Sequence, residues 1–299
     1  MNRAVSDIEV PDNHQAVVSQ LSAVFEELPP QLQIAARFII DHPREVSVQT
    51  MRSLATEAGV HPNSFVRLAR FIGFDGYESM RERFRDFVRQ GSGSTTDRVR
   101  WLQNLARKGG KAEIMSQMAS AVLANHEQLF SALDMKQVEK AVSWMLKADR
   151  VFVLGVGVGY AMAYQFWYVA RMMHDNFILI PRHGSLPMDD LLGIRKTDLL
   201  LAMTFQPYRN DVIEAVRFAQ KRKARTIGLS DSPAATLYRE SDIGLSCPTH
   251  TPQFFQSNAS VIALLEMICA MLAAEGGDKV EQQIEEFNEI RWQSGVYES

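Results

Sequence analysis

Cysteine is nearly absent: the 299-residue chain has two, Cys247 and Cys269. Both lie in apolar segments without a second Cys or a His at metal-ligand spacing, so neither structural zinc nor a disulfide framework fits, and a reducing cytoplasm does. Long hydrophobic runs are also missing. The most apolar stretch, Ala259 to Ala274, is broken by Glu266 and is shorter than the roughly 20 residues of a membrane span, so it reads as a buried helix. The N-terminus carries Arg3, Asp7 and Glu9 and no apolar core of signal-peptide length, which argues against secretion. Positive charge is not in excess either. With a formal net charge of -3, no global field draws the chain to nucleic acid, and any DNA contact must come from a local patch.

What is present is ordinary for a globular protein. An apolar fraction of 46% excludes general disorder, and the length is enough for two cores. Residues 1–16 are polar and unpatterned, as expected of a flexible tail. Over 17–89 apolar residues recur at helical spacing, with turns marked by Pro29-Pro30, His42-Pro43, Gly59 and Gly73-Phe74-Asp75-Gly76. A Gly/Ser-rich stretch begins at Gln90 and opens a linker placed over 90–112. Helical patterning resumes near Asp97 and is interrupted at Gly109-Gly110, and these helices are expected to bridge the two domains.

From Arg150 the period changes. The runs 151–154, 177–180, 199–203, 226–229 and 243–246 are short, apolar and β-rich, with helical stretches between most of them. Buried strands alternating with helices predict a doubly wound parallel sheet covered on both faces, within an α/β domain spanning 113–299. The fold class expected is thus all-α followed by α/β.

Two short helices are predicted on either side of Gly59. Met51, Leu54, Ala55 and Ala58 form one apolar stripe, with Thr50 able to cap its start and Gly59 to supply the left-handed exit. Pro62 suits the first position of the next helix, in which Phe65, Leu68, Ala69 and Ile72 point inward. At about 100° per residue, Asn63, Arg67 and Arg70 fall on the opposite side, with Ser64 beside them. Arginine can present a fork to guanine and asparagine can pair with adenine, so this face suits major-groove reading, although a solvated helix face would look the same. Arg81, Arg83 and Arg85 add cations nearby. His61 is a further DNA-contact candidate, or simply a cap.

These motifs resemble a known family. The run Leu28-Pro29-Pro30 to Ile40, then His42-Pro43, Leu54-Ala55-Thr56-Glu57-Ala58-Gly59-Val60, Val66-Arg67 and Gly73 to Tyr77 looks like the N-terminal domain of RpiR/MurR-type transcription regulators. The resemblance brings Tyr77 into the expected DNA-contacting set. It implies a sugar-isomerase (SIS) domain of flavodoxin type in the second half, a double-stranded DNA operator and a small, sugar-derived or phosphorylated effector.

The first strand runs into Gly155-Val156-Gly157-Val158-Gly159, where glycines let the backbone approach an anion at a helix N-terminus, or merely let helix and strand pack closely. A dinucleotide fingerprint fails at Tyr160 and Asp175, so no cofactor is expected. SIS domains hold phosphosugars with a hydroxyl in this first loop and a Ser/Thr-rich loop after the third strand. Here Gly159 replaces the first hydroxyl, and the later loop reads Thr204-Phe205-Gln206-Pro207-Tyr208-Arg209. The effector-binding set is therefore Gly155, Gly157, Gly159, Thr204, Gln206, Tyr208 and Arg209, with Ser257 as a contact or a helix cap. Arg209 is read either as an anion ligand or as the solvated start of the following helix.

Isomerisation requires a base beside the substrate carbonyl. Gln253 cannot take a proton, and His183 and His250 have no carboxylate partner in sequence, so no catalytic residue is assigned and an enzyme is not expected. The reading is a metabolite-controlled DNA-binding protein, acting as a homodimer or tetramer because helix-turn-helix proteins read paired half-sites. An SIS-type isomerase with a helical appendage, and a purely architectural DNA-binding dimer, are the alternatives.

Overall fold

The computed structural model describes residues 10, 11, 14–89, 95–182 and 184–296. The stretch 90–94 that opens the expected linker, most of the expected tail and His183 lie outside them. The described chain divides into two compact units. The first runs to Ala124 and takes in 232–234 and 250–257, and the second holds the remainder. An N-terminal helical region is followed by a five-stranded parallel α/β domain.

The first unit is helical: α1 (His14–Ala23), a 3-10 turn at Phe25–Glu27, α2 (Pro30–Asp41), α3 (Pro43–Val48), α4 (Met51–Ala58), α5 (Asn63–Phe71), α6 (Tyr77–Arg89) and α7 (Thr95–Arg107). Proline starts both α2 and α3, where its missing N–H costs no helical bond. Leu21, Phe25, Ile39, Leu54, Phe65, Leu68, Met80 and Phe84 are fully buried together. Each contributes on the order of 2 kcal/mol by leaving water. The tail expected to reach residue 16 ends earlier, because α1 already begins at His14. The linker expected over 90–112 contains α7, so only the turn at 108–110, with Gly109 at φ 82°, separates it from α8 (Lys111–Ala132).

The division falls within α8, after Ala124, and the second unit continues through α9 (Met135–Lys147), β1 (Val151–Gly155), α10 (Val158–Ala170), β2 (Phe177–Ile180), α11 (Pro187–Leu191), β3 (Leu199–Met203), α12 (Asn210–Lys221), β4 (Arg225–Ser230), α13 (Thr236–Glu240), β5 (Ile243–Ser246), α14 (Ala259–Glu275) and α15 (Asp278–Gln293). All strand pairs are parallel, in the order β2-β1-β3-β4-β5. Alternation along each strand divides the core in two. Val151, Val153, Leu199 and Leu201 pack with side chains of α9, α10 and α14, whereas Phe152, Leu154, Leu200 and Ala202 pack with those of α11, α12 and α13. This double coverage is why the strands read as continuous apolar runs. No single helix among the described residues is long and apolar enough to cross a membrane.

Candidate DNA-reading and effector sites

The α4–turn–α5 pair follows from local chemistry. The Thr50 hydroxyl accepts a bond from the Ser53 N–H at 3.2 Å, starting α4. Gly59, at φ 69°, ends it in the left-handed conformation, and the Val60 N–H returns to the Ala55 carbonyl at 2.9 Å. His61 then accepts the Asn63 N–H on its Nδ1 at 3.2 Å, which is the capping role rather than a demonstrated base-reading one. On α5, Asn63, Arg67 and Arg70 are exposed, as the helical period requires. Arg70 also donates from Nε to the Asp75 carbonyl at 3.3 Å, tying the helix end to the following turn.

Three expectations on this surface need correction. Ser64 is only 8% exposed and lies with the inward set, because it precedes Leu68 by four residues and so shares its face. Tyr77 is 3% exposed and packs edge-to-face on Phe65, with ring centroids 5.7 Å apart. It belongs to the core, where burial pushes its phenol pKa up. Arg81 is buried as well. Its Nε and Nη2 donate to the Val46 and Gln49 carbonyls at the end of α3, at 3.1 and 2.5 Å, and its Nη1 meets Glu78 at 3.2 Å. It caps a helix C-terminus from a distant element. Arg85 likewise pairs with Glu78 and Glu82.

In the α/β unit, Gly155 pairs with Met203 and Met203 with Leu229, so the exits of β1, β3 and β4 lie side by side. The strand order reverses between β1 and β3, the place where open α/β sheets hold ligands. The three glycines divide by role. A Cβ on Gly155 would lie 2.2 Å from the Gly159 carbonyl oxygen, so this glycine serves helix–strand packing. Gly157 stands at φ 63° with open space around it, directly before α10. Gly159 is buried, and a Cβ there would make only ordinary contact with Met203.

The loop after β3 is closed on itself. The Thr204 hydroxyl accepts the Arg209 N–H at 2.9 Å, and the Gln206 N–H donates to Asp231 at 3.3 Å. Pro207 has no N–H to offer. Asp231, one residue beyond β4, also accepts from the Ser230 hydroxyl at 3.3 Å. Burial raises its pKa, and these bonds oppose the rise. The sequence reading missed Asp231, although an acid directly after an apolar strand is a detectable signal. Arg209 is exposed and bidentate on Asp211, at 3.1 and 2.7 Å, which matches the helix-start reading of this residue. Ser257 is buried in the 250–257 segment, which groups with the first unit and not with these loops. His250, in the same segment, is held below its usual pKa by burial and by Arg98.

Residues 145–274 match the SIS domain family. With its parallel sheet and the helical region before it, the chain is an SIS-domain protein of two-part architecture. An uncharacterised HTH-type transcriptional regulator of Caldanaerobacter subterraneus is 19% identical over 92% of this chain and 95% of its own length. HexR, an HTH-type transcriptional regulator of Pseudomonas aeruginosa, is 19% identical over 78% of this chain and 79% of its own length. In solved structures, NanR of Vibrio vulnificus complexed with ManNAc-6P matches with a TM-score of 0.57 and 19% identity, over 93% of this chain and 98% of that one. The chain is related to the HTH-type transcriptional regulators of the RpiR family. Some of its SIS relatives are enzymes.

Proposed function

We propose that this protein is a DNA-binding transcription regulator controlled by a small metabolite, sugar-derived or phosphorylated, held at the β1/β3 switch point. The observation that carries the reading is the exposed Asn63, Arg67 and Arg70 face of α5, on the second of two helices joined by a Gly turn, in a chain that also holds an SIS domain. The NanR structure with ManNAc-6P supports the effector half by analogy of fold. The reading assigns recognition to Asn63, Arg67 and Arg70, with His61 at the helix start. Effector contacts are assigned to the Gly157 turn and the 204–209 loop. A protein reading two half-sites acts as a homodimer or a tetramer built from dimers.

The test is binding to promoter fragments from the chain's own genome at fixed salt. Sequence-specific binding by the wild type, lost in Arg67→Ala/Arg70→Ala, is expected. Each phosphate contact removed should also flatten the salt dependence, whereas a base contact removed should relax specificity at one position. Turnover of a phosphosugar that survives the double substitution, with no specific DNA binding, would favour an SIS-type isomerase instead.

A further inference from the structure

The loops around the β1/β3 switch point are ill-provided for an anion. Of the six backbone nitrogens in 204–209, four are engaged within the chain or carry no hydrogen. The Thr204 N–H donates to the Leu229 carbonyl at 3.2 Å, that of Gln206 to Asp231 at 3.3 Å and that of Arg209 to the Thr204 hydroxyl at 2.9 Å, and Pro207 has none. The start of α12 already holds a carboxylate of its own chain, because Asp211 lies in its first turn and accepts the Val212 N–H at 3.1 Å. That carboxylate also takes two donors of Arg209 and cancels its charge. At the start of α10, the Gly159 and Tyr160 N–H groups turn back to the Val156 and Gly157 carbonyls at 3.2 and 3.1 Å. Asp231 then makes the region acidic. Its carboxylate folds back over the exit of β3, with Oδ2 accepting from Gln206 and Oδ1 from Ser230, and no cation among the described residues offsets its charge. A carboxylate has about four acceptor positions, so roughly two stay open.

We infer that the effector is an uncharged, unphosphorylated sugar or polyol whose hydroxyls donate to Asp231, and that this carboxylate selects against phosphate esters and sugar acids. The inference rests on the effector site proposed above and narrows what that site takes. A phosphate dianion is held by several N–H or cationic donors converging on its oxygens. Here the backbone donors are engaged, the nearby guanidinium is neutralised, and the unpaired charge has the same sign as the phosphate. A neutral polyol meets no such repulsion. Its hydroxyl pairs match the open positions of Asp231, and an O–H bond to an ionised acceptor is stronger than one between neutral groups. Specificity is then set by the penalty on the charged competitor as much as by the contacts made with the sugar.

The experiment is isothermal titration calorimetry of the full chain with pentoses, hexoses, N-acetylhexosamines and hexitols, each beside its own phosphate ester. At least one unphosphorylated compound should bind, and its ester should bind at least tenfold more weakly. Asp231→Asn keeps an oxygen for the Gln206 N–H and removes the charge. It should weaken the sugar about tenfold and tighten the ester, so the two affinities move in opposite directions. A residue that only braced the loop would weaken both alike. The wild-type comparison decides the matter by itself should the variant fold poorly. An ester that binds the wild type as tightly as its parent sugar, or more tightly, overturns this inference and leaves the metabolite-controlled regulator standing. Binding by no compound of either kind overturns both.

Discussion

Arg81 and Arg67 carry the same side chain in neighbouring helices, and their substitution should have opposite consequences. Arg81→Met keeps most of the aliphatic volume and removes two charge-assisted bonds to the Val46 and Gln49 carbonyls. Such bonds contribute about 1.5–3 kcal/mol each. The Glu78 pair adds little, because Glu78 is well exposed and its charge is screened. Water reaching part of the vacated site reduces the sum, so a loss of about 3 kcal/mol from the helical unit is expected. For a unit of this size that lowers the melting temperature on the order of 10 °C. Arg67→Ala, on the exposed face of α5, should change stability by less than about 0.5 kcal/mol. Urea unfolding followed by circular dichroism, run beside DNA titration, separates the two. Arg81→Met should lose stability and keep its DNA affinity below the new melting temperature, and Arg67→Ala should do the reverse. An Arg81→Met protein of wild-type stability would refute the assignment of Arg81 as a helix cap.

Tyr77→Phe should be neutral or stabilising by up to about 1 kcal/mol, since the buried hydroxyl has no partner; a clear loss of stability or of DNA affinity would return Tyr77 to the DNA surface. Gly155→Ala should destabilise the α/β unit by about 3 kcal/mol through collision with backbone. Gly157→Ala, strained only in φ, should cost about 1–2 kcal/mol, and melting curves showing the reverse order would contradict the roles given to the two glycines. His14 is buried, and its pKa is held down to about 3 by desolvation first and by the Arg98 and His250 charges after it. Between pH 6.5 and 3 the unfolded chain therefore binds a proton that the folded chain refuses, so stability falls as pH falls. The loss is about 1.4 kcal/mol per pH unit, or about 2 kcal/mol from pH 6.5 to 5. His14→Phe should flatten that slope, and unfolding curves at several pH values that run parallel to wild type would refute the burial argument.

The second half of the chain was readable because its signals are local. Each strand is a continuous apolar run, and β2, β3 and β5 begin and end where the sequence places them. The same holds for the turn between α4 and α5, where Thr50 and Gly59 act within a few residues of themselves, while Pro62, expected in the first turn of α5, stands one residue before it at the N-cap. Ser64 and Tyr77 were misjudged despite equally local signals. Ser64 shares a face with Leu68, and Tyr77, Met80 and Phe84 form the buried stripe of α6. Its angle on the helix places Ser64 beside Asn63 and the family resemblance places Tyr77 with the DNA contacts, and neither placement weighs the apolar stripe to which the residue belongs. Arg81 was beyond sequence reading for a different reason, since its acceptors lie 35 and 32 residues earlier and are backbone atoms. Asp231 reaches Gln206 across 25 residues only because β3 and β4 are in register.

The central claim is that one small molecule and one DNA site are coupled through this chain. The most direct test is the affinity for a specific promoter fragment, at fixed salt, with and without each member of a panel of sugars, sugar acids and phosphosugars. One compound should shift the DNA affinity at least several-fold, and by reciprocity the DNA should shift the affinity for that compound by the same factor. DNA binding that no compound alters, together with no compound that raises the melting temperature of the α/β unit, would contradict the account.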